Sequence, residues 1–208
     1  MTTDGHRLSK LELATSEPVA KTSLLIPLKA IHELRRLCEE AEGDARSDEP
    51  QKIVLAQGAQ NAFFSVAGFT FTLKLVDAQF PPYEQVIPRS TTYAARVARA
   101  PFAEALRAVS LAANERTGGV KVSLTRGSVR LSSESPESGN SFDEVPVEYD
   151  GPEITIGFNA RYLVDVIGAV DTELLDLGVS GELDPAVLRP ADQPAGSNYL
   201  AVIMPMRV

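Results

Sequence analysis

The sequence of 208 residues predicts an α+β fold made of two related units in tandem. One observation is an internal repeat. Leu24-Leu25-Ile26-Pro27-Leu28-Lys29-Ala30 matches Ile154-Thr155-Ile156-Gly157-Phe158-Asn159-Ala160 in pattern, each an apolar strand, then Pro or Gly, then a helix. A second is the set of short segments that alternate apolar and polar residues between turn signals, the period of half-buried strands. The third is length, which accommodates one large domain or two small ones.

Taken in order, residues 22–26 predict a short strand, and Pro27 suits the first helical position. Leu28, Ile31, Leu34 and Cys38 then recur at helical spacing, with Lys29, His32 and Arg36 on another face. Residues 42–50 are polar and acidic and predict a loop. Strands follow at 52–56, 62–66 and 70–75, and Pro81-Pro82 rules out a central strand around Phe80 because two donors are missing. Residues 93–99 predict a strand. Pro101 opens a helix to about Ala113, with Phe102, Leu106 and Val109 on one side. Leu111 lies opposite Phe102 at about 100° per residue, which predicts an exposed Leu111 and a buried Phe102. Gly118-Gly119 closes a turn before a hairpin at 120–124 and 128–132, and the serine-rich acidic run 133–144 predicts a loop. Strands at 147–149 and 153–156, a helix from about Asn159, and two or three final strands complete the chain. Leu200, Val202 and Met204 fall on one side of the last of these.

Composition narrows the function classes. The hydrophobic fraction of 44% and charged fraction of 23% are ordinary for a globular protein. No run of about 18 apolar residues suggests a membrane span, and the first residues lack the apolar core of a secretory signal. The single cysteine, Cys38, forms no internal disulfide, and the cytoplasm is the expected compartment. The net charge of −8 argues against a protein that grips DNA by affinity, since phosphate neutralisation supplies most non-specific binding. It leaves open a protein that holds DNA by topology. Asp4, His6 and Arg7 lie close together, yet no nucleophile or oxyanion donor accompanies them, so a hydrolase built there is disfavoured and a polar turn is the plain reading. With two histidines and one cysteine, no metal-ligand pattern exists.

Several segments occur in one recognisable order. They are Thr3-Asp4-Gly5-His6-Arg7-Leu8, Lys74-Leu75-Val76-Asp77, Phe80-Pro81-Pro82-Tyr83, Val86-Ile87-Pro88 and Asn114-Glu115-Arg116. Gly157-Phe158-Asn159-Ala160-Arg161-Tyr162-Leu163 follows, and Met204-Pro205-Met206-Arg207-Val208 ends the chain. Together they resemble the bacterial DNA polymerase III beta sliding clamp family along essentially the whole chain. The resemblance implies tandem clamp-type domains, each with helices on one face of antiparallel sheets. Residues 89–208 match the last domain and 1–88 the latter portion of the middle one, so the first unit is incomplete. A fragment, a late start site and a truncated copy are all compatible with that.

The resemblance further implies a non-catalytic processivity factor without cofactor. Its partners are duplex DNA, held by weak direct contacts, and the polymerase III alpha subunit, clamp loader and repair polymerases. These proteins insert short linear motifs into a cleft. Carried over by position, the cleft comprises Thr3, Gly5, His6, Arg7, Leu8, Pro81 and Val86 from the first unit. The last domain adds Thr117, Asn159, Tyr162, Leu183, Pro185, Val202, Ile203, Met204, Pro205, Met206 and Arg207. Gln85 stands where a basic residue can occur, and Thr117 where an aromatic can occur. Lys29, Arg35, Arg36, Arg107 and Arg161 become the DNA-facing residues. Arg107, Leu111 and Glu115 become the interface of a head-to-tail homodimer in the full-length form, whose complementary surface lies on the first domain. The alternative is a truncated relative that binds peptides without forming a ring.

Overall fold

The computed structural model describes residues 1–15, 21–43, 52–114, 116–137 and 139–208. Two short strands come first, β1 (Thr2–Thr3) and β2 (Arg7–Leu13), then helix α1 (Leu28–Gly43) and strands β3 (Val54–Gln57), β4 (Asn61–Val66) and β5 (Phe69–Lys74). After a single 3-10 turn at Tyr83–Gln85 come β6 (Tyr93–Ala98), α2 (Arg99–Ser110), β7 (Gly119–Thr125), β8 (Ser128–Ser135) and β9 (Gly139–Glu148). The same order then recurs as β10 (Ile154–Asn159), α3 (Ala160–Gly168), β11 (Leu174–Val179), β12 (Ala186–Pro190) and β13 (Ser197–Ile203). The chain divides into two compact units, one of Met1–Glu17 with Tyr83–Val208 and one of Pro18–Pro82.

In the larger unit the two repeats interlock. The first strand of each pairs antiparallel with the second strand of the other, β6 with β11 and β10 with β7. The full strand order is β1-β2-β13-β12-β11-β6-β9-β8-β7-β10. Both helices pack on one face of this sheet. Phe102, Leu106 and Val109 of α2 and Leu163, Val166 and Ile167 of α3 are buried against Val120, Val122, Leu131, Ile156, Phe158, Leu175 and Leu177. Alternate strand positions supply these residues, which is why the apolar pattern of period two became a single core. Asn159 starts α3: its side-chain oxygen accepts from the Arg161 and Tyr162 amides at 3.0 and 3.3 Å. That satisfies two of the helix's orphan donors.

The smaller unit is a three-stranded sheet, β3-β4-β5, with α1 against it. Ala30 of α1 is buried on Ala62 and Leu73, and Leu34, Phe64 and Phe71 pack around them.

Several sequence expectations need correction. Helix α2 begins at Arg99 rather than Pro101. A proline in the first turn costs nothing, because its missing donor would have had no partner. The run 133–144 is not simply a loop. Strands β8 and β9 extend through much of it, pairing Ser133 with Ser141 and Ser132 with Phe142. Ser133 faces inward and donates its hydroxyl to the Val109 carbonyl at 2.6 Å, so a small polar residue takes a core position that the pattern did not suggest. The stretch 22–26 joins no ladder; its Leu25 carbonyl accepts one bond, from the Val76 amide at 2.9 Å. Leu28 and Ile31 are exposed, and α1 instead turns Ala30, Leu34, Cys38 and Ala41 toward cover. Strand β2 was not anticipated at all. The loop expected at 42–50 falls largely outside the described residues.

Phe102 is fully buried beneath both repeats of the larger unit. Phe102→Ala is therefore expected to destabilise that unit by about 3–5 kcal/mol, read from the urea midpoint. A loss well under about 1 kcal/mol would show that the site collapses around the gap.

Candidate functional site

Strand β13 runs between β12 and β2, and both of its faces are covered. Ala201 and Ile203 turn into the main core under the helices. Leu200 and Val202 turn to the opposite face, as the sequence alternation predicts. There the registers Val202↔Leu8 and Val187↔Val202 set Leu8, Val202 and Val187 in one row across three strands. All three are buried, and Tyr83 and Ile87 pack on them. This second apolar cluster is separate from the core beneath the helices. The expectation for Ile203 is corrected accordingly: its side chain belongs to the main core, because neighbouring residues of a strand face opposite sides.

One border of this row is the turn from Thr3 to Leu8. The Asp4 carboxylate accepts from the His6 and Arg7 amides at 3.0 and 3.1 Å. Gly5 adopts φ +88°, which a side chain would strain, and the Thr3 hydroxyl donates to the Arg7 carbonyl at 2.7 Å. Arg7 reaches Asp4 at 3.1 Å and Asp165 of α3 at 2.6 Å. Its guanidinium lies 4.5 Å over the Tyr162 ring, and the His6 ring stacks on the same tyrosine at 6.0 Å. Burial pushes the Asp4 carboxyl up, but the two amides and Arg7 outweigh it and hold the group below its ordinary value. Burial also opposes the charge on Arg7, and Asp165 with Asp4 more than offset that. Asp4, Arg7 and His6 are thus structural partners, and their chemistry is that of a fixed polar rim.

The other border is the C-terminal tail. The Met204 amide donates to the His6 carbonyl at 2.9 Å, tying tail to turn. The Met206 amide donates to the Gly157 carbonyl at 2.8 Å. A Cβ on Gly157 would overlap the Met206 carbonyl and the Val208 side chain, and one on Gly119 would overlap Val208. Glycine inside a strand marks close backbone approach, and here it lets the tail lie flat on β10.

The remaining expected residues divide by location. Val86, Leu183 and Met204 are exposed apolar side chains, and Pro185, Pro205 and Met206 are half-buried. Arg207 is exposed. Asn159 donates to the Thr117 carbonyl at 2.9 Å, so those two are brought together, though the Asn159 side chain is committed to local bonds. Pro81 falls in the smaller unit. Asp165, Val187 and Gly157 are site residues that the sequence reading did not single out. Only Gly157 carried a signal, as an isolated glycine in a strand pattern.

Lys29, Arg35 and Arg36 are exposed on α1, but two of them are already paired. Arg35 bridges Glu39 at 2.7 Å, and Arg36 bridges Glu33 at 3.1 Å and Glu40 at 2.5 Å. Arg107 and Arg161 are exposed on α2 and α3. Leu111 follows α2 and is 85% exposed, while Phe102 is buried. Glu115 lies outside the described residues. Among the described residues no cluster of three metal-binding side chains occurs, and no helix is long and apolar enough to cross a membrane.

Paired strand–helix–three-strand repeats, with helices on one side of a continuous antiparallel sheet, define a clamp-type domain. Two family models match the chain: the central domain of the DNA polymerase III beta subunit over residues 1–82, and its C-terminal domain over residues 84–207. The chain belongs to the DNA polymerase III beta subunit family. It is 36% identical to the beta sliding clamp of Pseudomonas aeruginosa over 99% of its own length and 53% of that protein's. It is 34% identical to the beta sliding clamp of Caulobacter vibrioides over 99% and 53%. The crystal structure of a DNA polymerase sliding clamp from Pseudomonas aeruginosa superposes with a TM-score of 0.87 at 33% identity, covering 99% of this chain and 54% of that one. Another structure of a sliding clamp from that organism is bound to griselimycin. One from Caulobacter crescentus holds polyethylene glycol in a putative beta-motif tethering region, with a TM-score of 0.86. The chain spans about half the length of the curated relatives it matches.

Two outcomes are expected. Gly157→Ala should lift the tail, so the Met206 amide should exchange much faster with solvent, read by NMR; unchanged exchange would mean the tail is held elsewhere. The lowered carboxyl of Asp4 means that its contribution to the turn is present above the ordinary carboxylate value of 3.8 and is lost as pH falls through the still lower folded value. The His6 and Arg7 amide shifts should report that loss on acidification, and Asp4→Asn should remove the dependence.

Proposed function

We propose that this chain supplies part of a replication sliding clamp, a non-catalytic cytoplasmic processivity factor, and that the row Leu8–Val202–Val187 is the floor of its partner-binding cleft. The observation that carries the reading is the buried apolar row bordered by the pinned turn and the pinned tail. Exposed Met204, at the tail's end of this row, would receive apolar side chains, and His6 and Arg207 would offer polar anchors. Exposed Met204 suits varied partners, since an unbranched thioether adapts its shape. The griselimycin-bound relative supports a ligand-accepting surface in this family. The occupants would be short linear motifs of the polymerase alpha subunit, the clamp loader and repair polymerases, a glutamine followed by leucine and a terminal phenylalanine pair.

Tethering explains the activity without chemistry. A ring around duplex DNA holds the polymerase near the primer end and raises its effective concentration there. In the full-length form, Arg107, Leu111 and Glu115 would meet the neighbouring subunit head to tail. Lys29, Arg35, Arg36, Arg107 and Arg161 would touch phosphates weakly. The acid-paired state of Arg35 and Arg36 fits weak contact, because a guanidinium already neutralised attracts little further charge. A net charge of −8 keeps sliding free of strong adhesion.

Fluorescence anisotropy with a labelled motif peptide is the direct test. Apolar burial at about 25 cal/mol per Å², less the ordering cost of the peptide, leads to micromolar-scale affinity. Met204→Ala should weaken binding by roughly three- to tenfold, about 1 kcal/mol. Removal of residues 204–208 should weaken it further; equal binding by that variant would sink the reading.

A further inference from the structure

Asp165 stands three residues beyond Tyr162 on α3, so the two share a helix face. Arg161, four residues earlier on the same helix, is a ready local partner for its carboxylate. The carboxylate instead accepts from Nη1 of Arg7 at 2.6 Å, across 158 positions in sequence. Arg7 is held there from two other sides. Its Nε donates to Asp4 at 3.1 Å, and its guanidinium lies 4.5 Å over the Tyr162 ring. Tyr162 in turn stacks on His6, whose carbonyl accepts from the Met204 amide. The cluster therefore adjoins the tail at Met204, beside the proposed cleft.

Two carboxylates surround one guanidinium, so the cluster as a whole is acidic and its cation is committed. Burial opposes the charge on Arg7, and Asp165 with Asp4 more than offset it. The Arg7–Asp165 pair leaves 26% and 47% of its side chains exposed, and a pair so open to water contributes little to stability. Its larger effect is on charge. A free guanidinium binds a ligand carboxylate through two parallel hydrogen bonds, and Asp165 occupies one of the nitrogens that such a bond needs.

We propose that Asp165 is a specificity-determining residue of the partner cleft: by neutralising Arg7 it makes the turn side of the cleft disfavour acidic residues next to a partner's apolar anchors. This role rests on the cleft reading above and adds to it the charge of the motif that is accepted. With the carboxylate in place, a ligand acid at this border meets two like charges and a guanidinium already in use. Like charges set against each other across an interface suppress the wrong partner, which is how a site selects without adding contacts. With that one charge deleted, Arg7 keeps Asp4 alone as a counter-charge, and its Nη1 is open to the ligand. Asp165 thus acts through Arg7, from a helix that the cleft reading otherwise uses only at Asn159 and Tyr162.

Two labelled motif peptides, alike except for Asp or Asn directly before the terminal phenylalanine pair, test it by fluorescence anisotropy on the 208-residue chain. Asp165→Asn keeps the shape and an oxygen for Arg7 while deleting one charge. It should tighten binding of the Asp peptide relative to the Asn peptide by at least about threefold, and the gain should shrink as salt rises. Asp165→Glu restores the charge and should restore the wild-type ratio. Hydrogen-exchange protection of the β7 and β11 amides should be the same in all three chains, so that the ratio reports charge rather than folding. If both peptides bind and the ratio is unchanged in Asp165→Asn, the role of Asp165 is refuted and the cleft reading stands. A ratio that moves equally in Asp165→Glu refutes it too, because shape would then be responsible. If neither peptide binds the wild type, the cleft reading fails and takes this role with it.

Discussion

The candidate site depends on the antiparallel pairing of β2 with β13. Seven register pairs, from Ser197↔Leu13 to Ile203↔Arg7, join the two ends of the chain in one sheet. Their ladder fixes which side chains share a face. Shifting it by one residue would turn Leu8 away from Val202 and dismantle the apolar row. The cost of closing so long a loop grows only slowly with length, and burial on both faces of β13 repays it. The same pairing delivers the Thr3–Leu8 turn to the Met204 amide and Arg7 to Asp165.

Rigidity at the site comes from local bonds and from space. Asp4 fastens two amides of the turn, and Asn159 fastens two at the start of α3. Gly157 of β10 and Gly119 of β7 let the tail approach those strands more closely than any side chain would allow. The row is thus fixed, while Leu183, Val86 and Met204 are exposed apolar side chains. In the peptide-binding reading proposed for this surface, a fixed floor would leave the ordering cost mainly on the ligand.

Internal duplication explains the unequal character of the two units. Where two repeats interlock, as in the larger unit, they supply all twelve of the largest fully buried side chains among the described residues. Where one repeat stands with a single helix, the buried cluster shrinks to Ala30, Ala62 and Leu73, with Ala41 and Val66 buried outside it. One helix covers only part of the apolar face of this three-stranded sheet, and Leu55 and Phe69 stay exposed.

The sequence by itself determined the local elements and the family. The repeated strand-turn-helix pattern marked α1 and α3, alternation marked most strands, and helical phase put Phe102 inward and Leu111 outward. Those features depend on neighbours within a few residues, where period and capping are legible. It misjudged Leu28 and Ile31, the run 133–144 and the stretch 22–26, because whether an apolar residue is covered depends on what packs over it. It marked the turn and the tail by resemblance to a known family. Only the tertiary structure decided that they meet across β2 and β13, that Ile203 faces the main core, that Val187 packs with Leu8 and Val202, and that Asp165 pairs with Arg7. The physical reason is register: it is set between strands distant in sequence, and a shift of one residue reverses every facing.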